Sequence, residues 1–338
     1  MRKFKTMRTV AAACIVFAAA TMFASLAYAQ SLVPVKFRLD FRLSGPHLPY
    51  IWALEKGYYA EEGLGVTIKE GAGAQQTINL IAAKEDDLAS GDFLVLANSV
   101  SKGAPVKAVF GYVQRNAWSV ISFAEANLRE PRDLIGKTVA VIADHRVFLE
   151  LLLRTNDVPS EKVTMRVVNI AVRNTVFAER KVDAFISQVL GSPMDFVARA
   201  KEGKNPPVHF MLFGDFGVKT LSQGLIAHRN FIEQNPDVIR RFLRATGRAI
   251  KEIAKPQNFD EATDIAIRYT KAAVERRESV RLQWIETLKF INFKETSDQP
   301  FGWMDAKDWN DTVDTLKKTG HIENGPALGD LYTNEFLR

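Results

Sequence analysis

The chain reads as an α/β protein built in two halves, and three features say so. Short β-branched runs alternate with helical patterns of about ten residues, the signature of βαβ units around parallel sheets. After a turn-rich stretch from Pro131 to Lys137, the same rhythm restarts at Thr138-Val139-Ala140-Val141-Ile142, which marks a second lobe. Beyond Ala227 the pattern becomes helical to the end.

Val35, Phe37 and Leu39 alternate with Lys36 and Arg38, giving a first strand that ends at Asp40. Phe41 to His47 forms the loop at its carboxyl end. A helix from Leu48, carrying Ile51, Trp52 and Leu54, stops at Gly57, a suitable C′ glycine. Tyr58 and Tyr59 add a turn, and Val66 to Ile68 is the second strand. The stretch Gly71-Ala72-Gly73-Ala74-Gln75-Gln76 then opens a helix with Ile78, Ile81 and Ala82 on one side. Two glycines let backbone approach a ligand closely, and a helix start offers unpaired N–H groups and about half a positive charge. Read plainly, the same stretch is an ordinary βα connection. It lacks the third glycine of a dinucleotide fingerprint and the Gly-Lys-Ser/Thr of a P-loop. Asp87 to Ser90 makes a third strand, followed by Gly91-Asp92 and a helix to Lys102, and Val106 to Phe110 is a fourth.

Trp118 to Phe123 is a connecting strand. The second lobe runs from the strand at Thr138 through the loop Ala143-Asp144-His145-Arg146 to a helix ending near Leu153. Strand Val163 to Val168, a helix around Thr175 to Arg180, strand Val182 to Ile186, a helix from Pro193 and strand Val208 to Phe213 complete it. Leu221 to Ala227 is one more strand. Asn235-Pro236-Asp237 then starts a helix with Asn as N-cap, Pro at N1 and an acid in the first turn. Val238, Ile239, Phe242, Leu243, Ala249, Ile250 and Ile253 form its apolar face. Arg240, Arg241, Arg244, Arg248 and Lys251 form the other, a row that reads as solvated. Helices near 260–271, 275–291 and 306–318 close the chain.

Arg2, Lys3, Lys5 and Arg8 precede an Ala-rich apolar run from Val10 to Leu26, and Ala27-Tyr28-Ala29 has the small residues of a cleavage site. A cleaved signal peptide over 1–29 follows, with export to the periplasm and a mature start at Gln30. An uncleaved anchor is the alternative that the run length allows. Losing four cations takes the formal net charge from +6 to +2. With no basic stripe carrying interleaved aromatics, no nucleic acid is expected as a partner. Cys14 is the only cysteine, so the mature chain has no disulfide, thiolate nucleophile or Cys-ligated metal. The histidines, at 47, 145, 209, 228 and 321, are scattered, and neither H-E-x-x-H nor G-x-S-x-G occurs. No metal, no cofactor and no catalytic residue is expected.

Several stretches carry a family likeness. Leu54-Glu55-Lys56-Gly57-Tyr58-Tyr59-Ala60-Glu61-Glu62-Gly63-Leu64 resembles the first helix of periplasmic solute-binding proteins of ABC importers. Lys102-Gly103-Ala104-Pro105-Val106-Lys107-Ala108-Val109, Asp133-Leu134-Ile135-Gly136-Lys137-Thr138-Val139, Asn235-Pro236-Asp237 and Tyr332-Thr333-Asn334-Glu335-Phe336-Leu337 are similar to the same family, in the same order. The branch is the nitrate/sulfonate/taurine-like one, nearest its NMT1/THI5-like, pyrimidine-precursor members. The resemblance implies a type 2 clamshell: two α/β lobes, two hinge crossovers, extra C-terminal helices on the first lobe, and a ligand enclosed between them. It divides the chain into 30–118 plus 222–338 for the first lobe and 119–221 for the second. It implies a monomer that captures a small polar, aromatic or anionic solute and hands it to an ABC permease in the cytoplasmic membrane. A pyrimidine-synthase-like enzyme is disfavoured, since such enzymes rely on a cysteine-rich segment. A ligand-binding input for a membrane sensor stays open.

Open α/β sheets bind ligands beyond the carboxyl ends of their strands, and those ends supply the candidates. Asp40, Phe41, Arg42 and His47 occupy the first loop. Phe41 stands where pyrimidine-precursor relatives usually carry Trp, and either stacks on a ring or packs in the core. Arg42 either pairs with a ligand carboxylate or is solvated, and Asp40 either binds or caps the next helix. Gly73, Ala74, Gln75 and Gln76 offer the helix start, while Gly91 and Asp92 offer a carboxylate that accepts a ring N–H or caps a helix. Tyr112 and Trp118 flank the first crossover as an aromatic wall or as core. His145 and Arg146 depart from the family pattern and add cationic donors, which favours an anionic ligand. Ser187 and Gln188 complete the set from the second lobe.

Overall fold

A computed structural model describes residues 31–270 and 274–337; the predicted signal peptide lies outside them. In order come β1 (Val33–Arg38), α1 (Leu48–Glu55), the single turn α2 (Tyr58–Glu61), β2 (Leu64–Lys69), α3 (Ala74–Ala82), β3 (Leu88–Asp92), α4 (Phe93–Ser101) and β4 (Val106–Val113). The middle of the chain supplies β5 (Trp118–Phe123), β6 (Thr138–Val141), α5 (Arg146–Thr155), β7 (Thr164–Val167), α6 (Ile170–Ala178), β8 (Ala184–Gln188), α7 (Pro193–Lys201) and β9 (Val208–Leu212). Then follow β10 (Gln223–His228), α8 (Arg229–Gln234), α9 (Pro236–Ile253), α10 (Phe259–Thr270), α11 (Arg277–Leu288), α12 (Ala306–Lys318) and α13 (Leu328–Leu331). Among the described residues, no helix is long and apolar enough to cross a membrane.

Two five-stranded sheets result, in the orders β2-β1-β3-β10-β4 and β7-β6-β8-β5-β9. Sequence reasoning expected parallel sheets, and each sheet departs from that in one strand. β1 is parallel to β2 and β3, but β10 runs antiparallel to β3 and β4. In the second sheet β6 is parallel to β7 and β8, while β5 runs antiparallel to β8 and β9. The cause is the crossover. A chain that leaves one sheet at the carboxyl end of a strand enters the other from the same end, so it runs against the strands already there. The first residues of β5 and β10 are thereby set at the carboxyl ends of their neighbours: Trp118 pairs with Gln188, and Gln223 pairs with Asp92.

Three strand ends shift for the same reason, and one helix start shifts for another. Pairing with β10 carries β3 on to Asp92 and β4 on to Val113, and pairing with β5 carries β8 to Gln188. Gly91, Asp92, Tyr112, Ser187 and Gln188 therefore stand in strand ends rather than in loops. α6 starts at Ile170, ahead of the expected Thr175, because Asn169 caps it through Ala171 N–H at 2.9 Å.

The helical tail covers the first sheet. Val238, Ile239, Phe242, Leu243, Ala249, Ile250 and Ile253 of α9 are all buried, in one apolar cluster with Phe37, Tyr59 and Trp284. Trp284 in α11 donates its indole N–H to the Ile253 carbonyl at 2.7 Å, tying α11 to the end of α9. The opposite row of cations is largely paired: Arg241 with Asp237, Arg244 with Glu62, Arg248 with Glu61 and Lys251 with Glu295, at 2.6–2.9 Å. Exposed pairs of this kind add little stability.

Gly57 sits at φ +75 between α1 and α2, with nothing within 4 Å of where a Cβ would lie. Gly57→Ala therefore meets only backbone strain, and should cost about 1 kcal/mol in a urea melt.

Candidate functional site

The site is organised by two carboxylates at the carboxyl ends of β1 and β3. Asp40 follows Leu39. Its Oδ1 accepts the Ser90 hydroxyl at 2.8 Å and the His47 ring at 2.7 Å, and its N–H donates to Ser90 Oγ. His47 Nδ1 accepts the Ser44 N–H at 3.1 Å, which assigns the proton to Nε2 and the donor role toward Asp40. Burial pushes the Asp40 carboxyl up, but His47 and Ser90 together outweigh it and hold the pKa below the usual value. Asp40 does not cap the next helical segment; Ser44 takes the N-cap position. Gly45 N–H meets Gln283 Oε1 at 2.8 Å, so α11 anchors this loop from outside.

Asp92 ends β3 and caps α4, with Oδ1 accepting from Leu94 N–H at 2.9 Å and Val95 N–H at 3.1 Å. Its Oδ2 accepts from Gln188 Nε2 of the second sheet at 3.2 Å. Gln188 Oε1 in turn accepts from Gln223 Nε2 at 3.2 Å. Asp92 is buried, and no cation lies within ion-pair distance among the described residues. Burial drives its pKa to about 7, against the Val95 and Leu94 N–H groups and the Trp118 indole, which lower it, while Asp40 raises it further.

Aromatic groups close the space around this bridge. Trp118 stacks on Phe148 at 3.9 Å and meets the edge of His145 at 4.5 Å. The hydroxyls of Tyr112 and Ser222 and Nδ1 of His145 are buried without a hydrogen-bond partner among the described residues. Such groups are costly to leave unpaired.

Other expected residues are placed differently. Gly71 serves a close approach within the protein itself. A Cβ on Gly71 would lie 2.2 Å from the Leu39 carbonyl oxygen, and Gly73 N–H donates to the Asp40 carbonyl at 3.0 Å. Gly73 is the N-cap of α3, which Ala74 opens; Gln75 turns to Ser99 and Gln76 back to Ala72 N–H. Gly91 makes room for Ile226 of β10, whose Cδ1 would lie 2.8 Å from a Cβ there. Arg42 is exposed, and Phe41 is half-buried with no ring contact among the described residues.

The cationic donors expected after β6 are not cations facing the site. Burial, with the charge of Arg173, lowers the His145 pKa to about 3, so the ring is neutral. Arg146 is exposed and pairs with Glu150 one turn along its own helix at 2.7 Å. Ser187 is buried in β8 opposite Ser119. Sequence reading missed Gln223, Ser90 and Arg173. Gln223 opens the returning strand, and only the antiparallel pairing brings it to Asp92. Arg173 follows β7, whose loop was left out of the candidate set although the strand-end rule covers it.

A surface hollow of about 720 Å³ lies elsewhere, between α9 and Pro300-Phe301. Among the described residues no cluster of three His, Cys, Asp or Glu could hold a metal.

The sequence profile described as NMT1/THI5 like matches residues 44–259. The chain belongs to the NMT1/THI5-like family. Among its relatives, the riboflavin-binding protein RibY of Chloroflexus aurantiacus is 26% identical over 304 residues, 86% of this chain and 82% of that protein. The formylaminopyrimidine-binding protein of Halalkalibacterium halodurans is 24% identical over 338 residues, 99% of each. The periplasmic aliphatic sulphonate binding protein SsuA of Escherichia coli superposes with a TM-score of 0.65 at 13% identity, over 89% of this chain and 91% of that one. The chain thus has the two-lobed periplasmic-binding-protein fold, as its sequence implied.

Proposed function

We propose that this NMT1/THI5-like protein captures a small solute outside the cytoplasmic membrane and delivers it to an ABC permease, without chemistry on the solute. In this reading the first lobe comprises 30–118 plus 222–338, the second comprises 119–221, and the signal peptide directs the chain to the periplasm. One observation carries it: buried, unpartnered polar atoms of Tyr112 and His145 accompany a carboxylate, Asp92, that is bridged across the two sheets by Gln188. A planar ring with N–H and carbonyl groups satisfies that set. Asp92 accepts from it, the Tyr112 phenol donates to it, and the Trp118 ring packs on it. The named binding activities of the two sequence relatives, for riboflavin and for a formylaminopyrimidine, support a heterocyclic solute.

Capture would couple to closure. Ligand contacts made from both lobes favour the closed state over the open one, by as much as the ligand binds the two differently. The rim already carries matching groups: Lys201 meets Glu278 at 3.1 Å, and Asp195 accepts the Ser279 hydroxyl across the lobes.

A thermal-shift panel of heterocycles, aromatic acids, sulfonates and nitrate tests the reading, since a ligand at 100 Kd adds about 2.7 kcal/mol. A hit recovered unchanged after prolonged incubation supports capture. Turnover of the hit, or no stabilisation by any class, overturns it. Gln188→Ala removes one neutral bridge, and should weaken a hit by about 1 kcal/mol, or roughly fivefold in Kd.

A further inference from the structure

We propose that the second lobe carries an oxyanion subsite built on Arg173, so that the captured solute bears a carboxylate, phosphate or sulfonate at the end facing that lobe. The inference rests on the capture reading and narrows its ligand class. Arg173 lies on the first turn of α6, after the Asn169 cap, and is only 3% exposed. Its guanidinium is held by neutral groups: the Ile186 carbonyl at 3.3 Å, Ser192 Oγ at 2.7 Å and Asn174 Oδ1 at 3.2 Å. The Phe185 ring lies beneath it at 4.9 Å.

No carboxylate reaches it within ion-pair distance among the described residues. The acid that does feel its charge, Asp195, is engaged by Ser279 of the other lobe. A cation serving structure alone is ordinarily matched by a carboxylate, because burial otherwise penalises the charge. Here the charge is held in place by neutral groups, with no carboxylate in contact with it among the described residues.

The position is what ties it to the cleft. Ile186 precedes the bridging Gln188 by two residues on β8, and Ser192 follows it in the loop to α7. The charge of Arg173 is also felt at His145, which edges the Trp118 ring. The N-terminal end of α6 adds positive potential of its own. With His145 neutral and Arg146 turned to Glu150, Arg173 is the buried cation on this wall that can meet an anionic group. Arginine's planar fork suits an oxyanion bidentately.

Matched probes test it: orotate against uracil, and benzoate against benzamide, each pair differing in the acid. Binding to the full mature chain is followed by thermal shift at constant ionic strength and by the side-chain Nε–Hε resonance of Arg173 in [15N]arginine-labelled protein. The expected result is that the acid of at least one pair binds roughly tenfold to a hundredfold more tightly than its neutral twin and moves the Arg173 resonance. That advantage should vanish in Arg173→Gln, persist in part in Arg173→Lys, and be untouched in Arg166→Gln, an exposed control. The resonance is read in unmutated protein, so a variant that fails to fold does not block the test. Equal binding of acid and neutral twin, or an acid advantage that survives Arg173→Gln, overturns the subsite and leaves capture standing. Failure of all four probes to bind overturns the subsite and removes capture of such rings as well.

Discussion

Gly224→Ala should destabilise the protein by more than about 3 kcal/mol and lower its melting temperature by at least roughly 6 °C. Gly224 stands in β10 between β3 and β4, where a Cβ would lie 2.0 Å from the Phe110 carbonyl oxygen and 2.4 Å from Phe93 Cζ. The first contact is with backbone, so no rotamer change relieves it. β10 would have to move off β4, and Gln223 beside it would leave Asp92. Calorimetry with and without a ligand checks both effects, since the variant should lose ligand stabilisation along with melting temperature. A melting point within a degree or two of wild type would show that β10 can move off Phe110 and Phe93 at little cost.

Asp92 should impose a pH dependence on stability of roughly 4 kcal/mol, which Asp92→Asn removes. In the fold its pKa is about 7, against 3.8 as the ordinary value. Between those values the folded state binds a proton that the unfolded chain has released. Stability is therefore highest below the unfolded pKa, falls as pH rises toward 7, and levels off above it. Asn keeps an oxygen for the Leu94 and Val95 N–H groups, so the cap survives while the charge does not. Urea denaturation of both proteins at pH 5 and pH 8 gives the comparison. The wild type should lose stability relative to the variant over that interval. Asp40 does not confuse the result: its pKa is lowered, so the stability it lends is lost only as pH falls below the ordinary carboxylate range. His209, His228 and His321, whose pKa values burial lowers, act equally in both proteins and cancel. A flat difference would mean that Asp92 stays ionised and hydrated.

The pattern of alternating elements was legible because it is local. Val35, Phe37 and Leu39 show a strand by their period, and Asn235-Pro236-Asp237 shows a helix start by its capping chemistry. The apolar face of α9, read from seven residues, is the face that the fold buries. Asp92 was readable as a cap, and it is one. What period and capping do not report is where a chain goes after it leaves a sheet. The antiparallel entry of β5 and β10 moved five candidate residues from loops into strand ends, and it set Trp118 beside Gln188 and Gln223 beside Asp92.

Charge was the other quantity that could not be read residue by residue. His145 and Arg146 look cationic in sequence, yet burial neutralises one and a glutamate a turn away takes the other. Arg173 precedes the helix expected from Thr175, and packing buries it within a helix that starts at Ile170. The order of strands, helices and caps thus comes from each segment's own residues, through periods of 2 and 3.6 and the bonds a short stretch makes with itself. Which side chains meet, and which of them are charged when they do, depends on burial and on partners tens of residues away in the chain. Those terms exist only once the two sheets have been brought together.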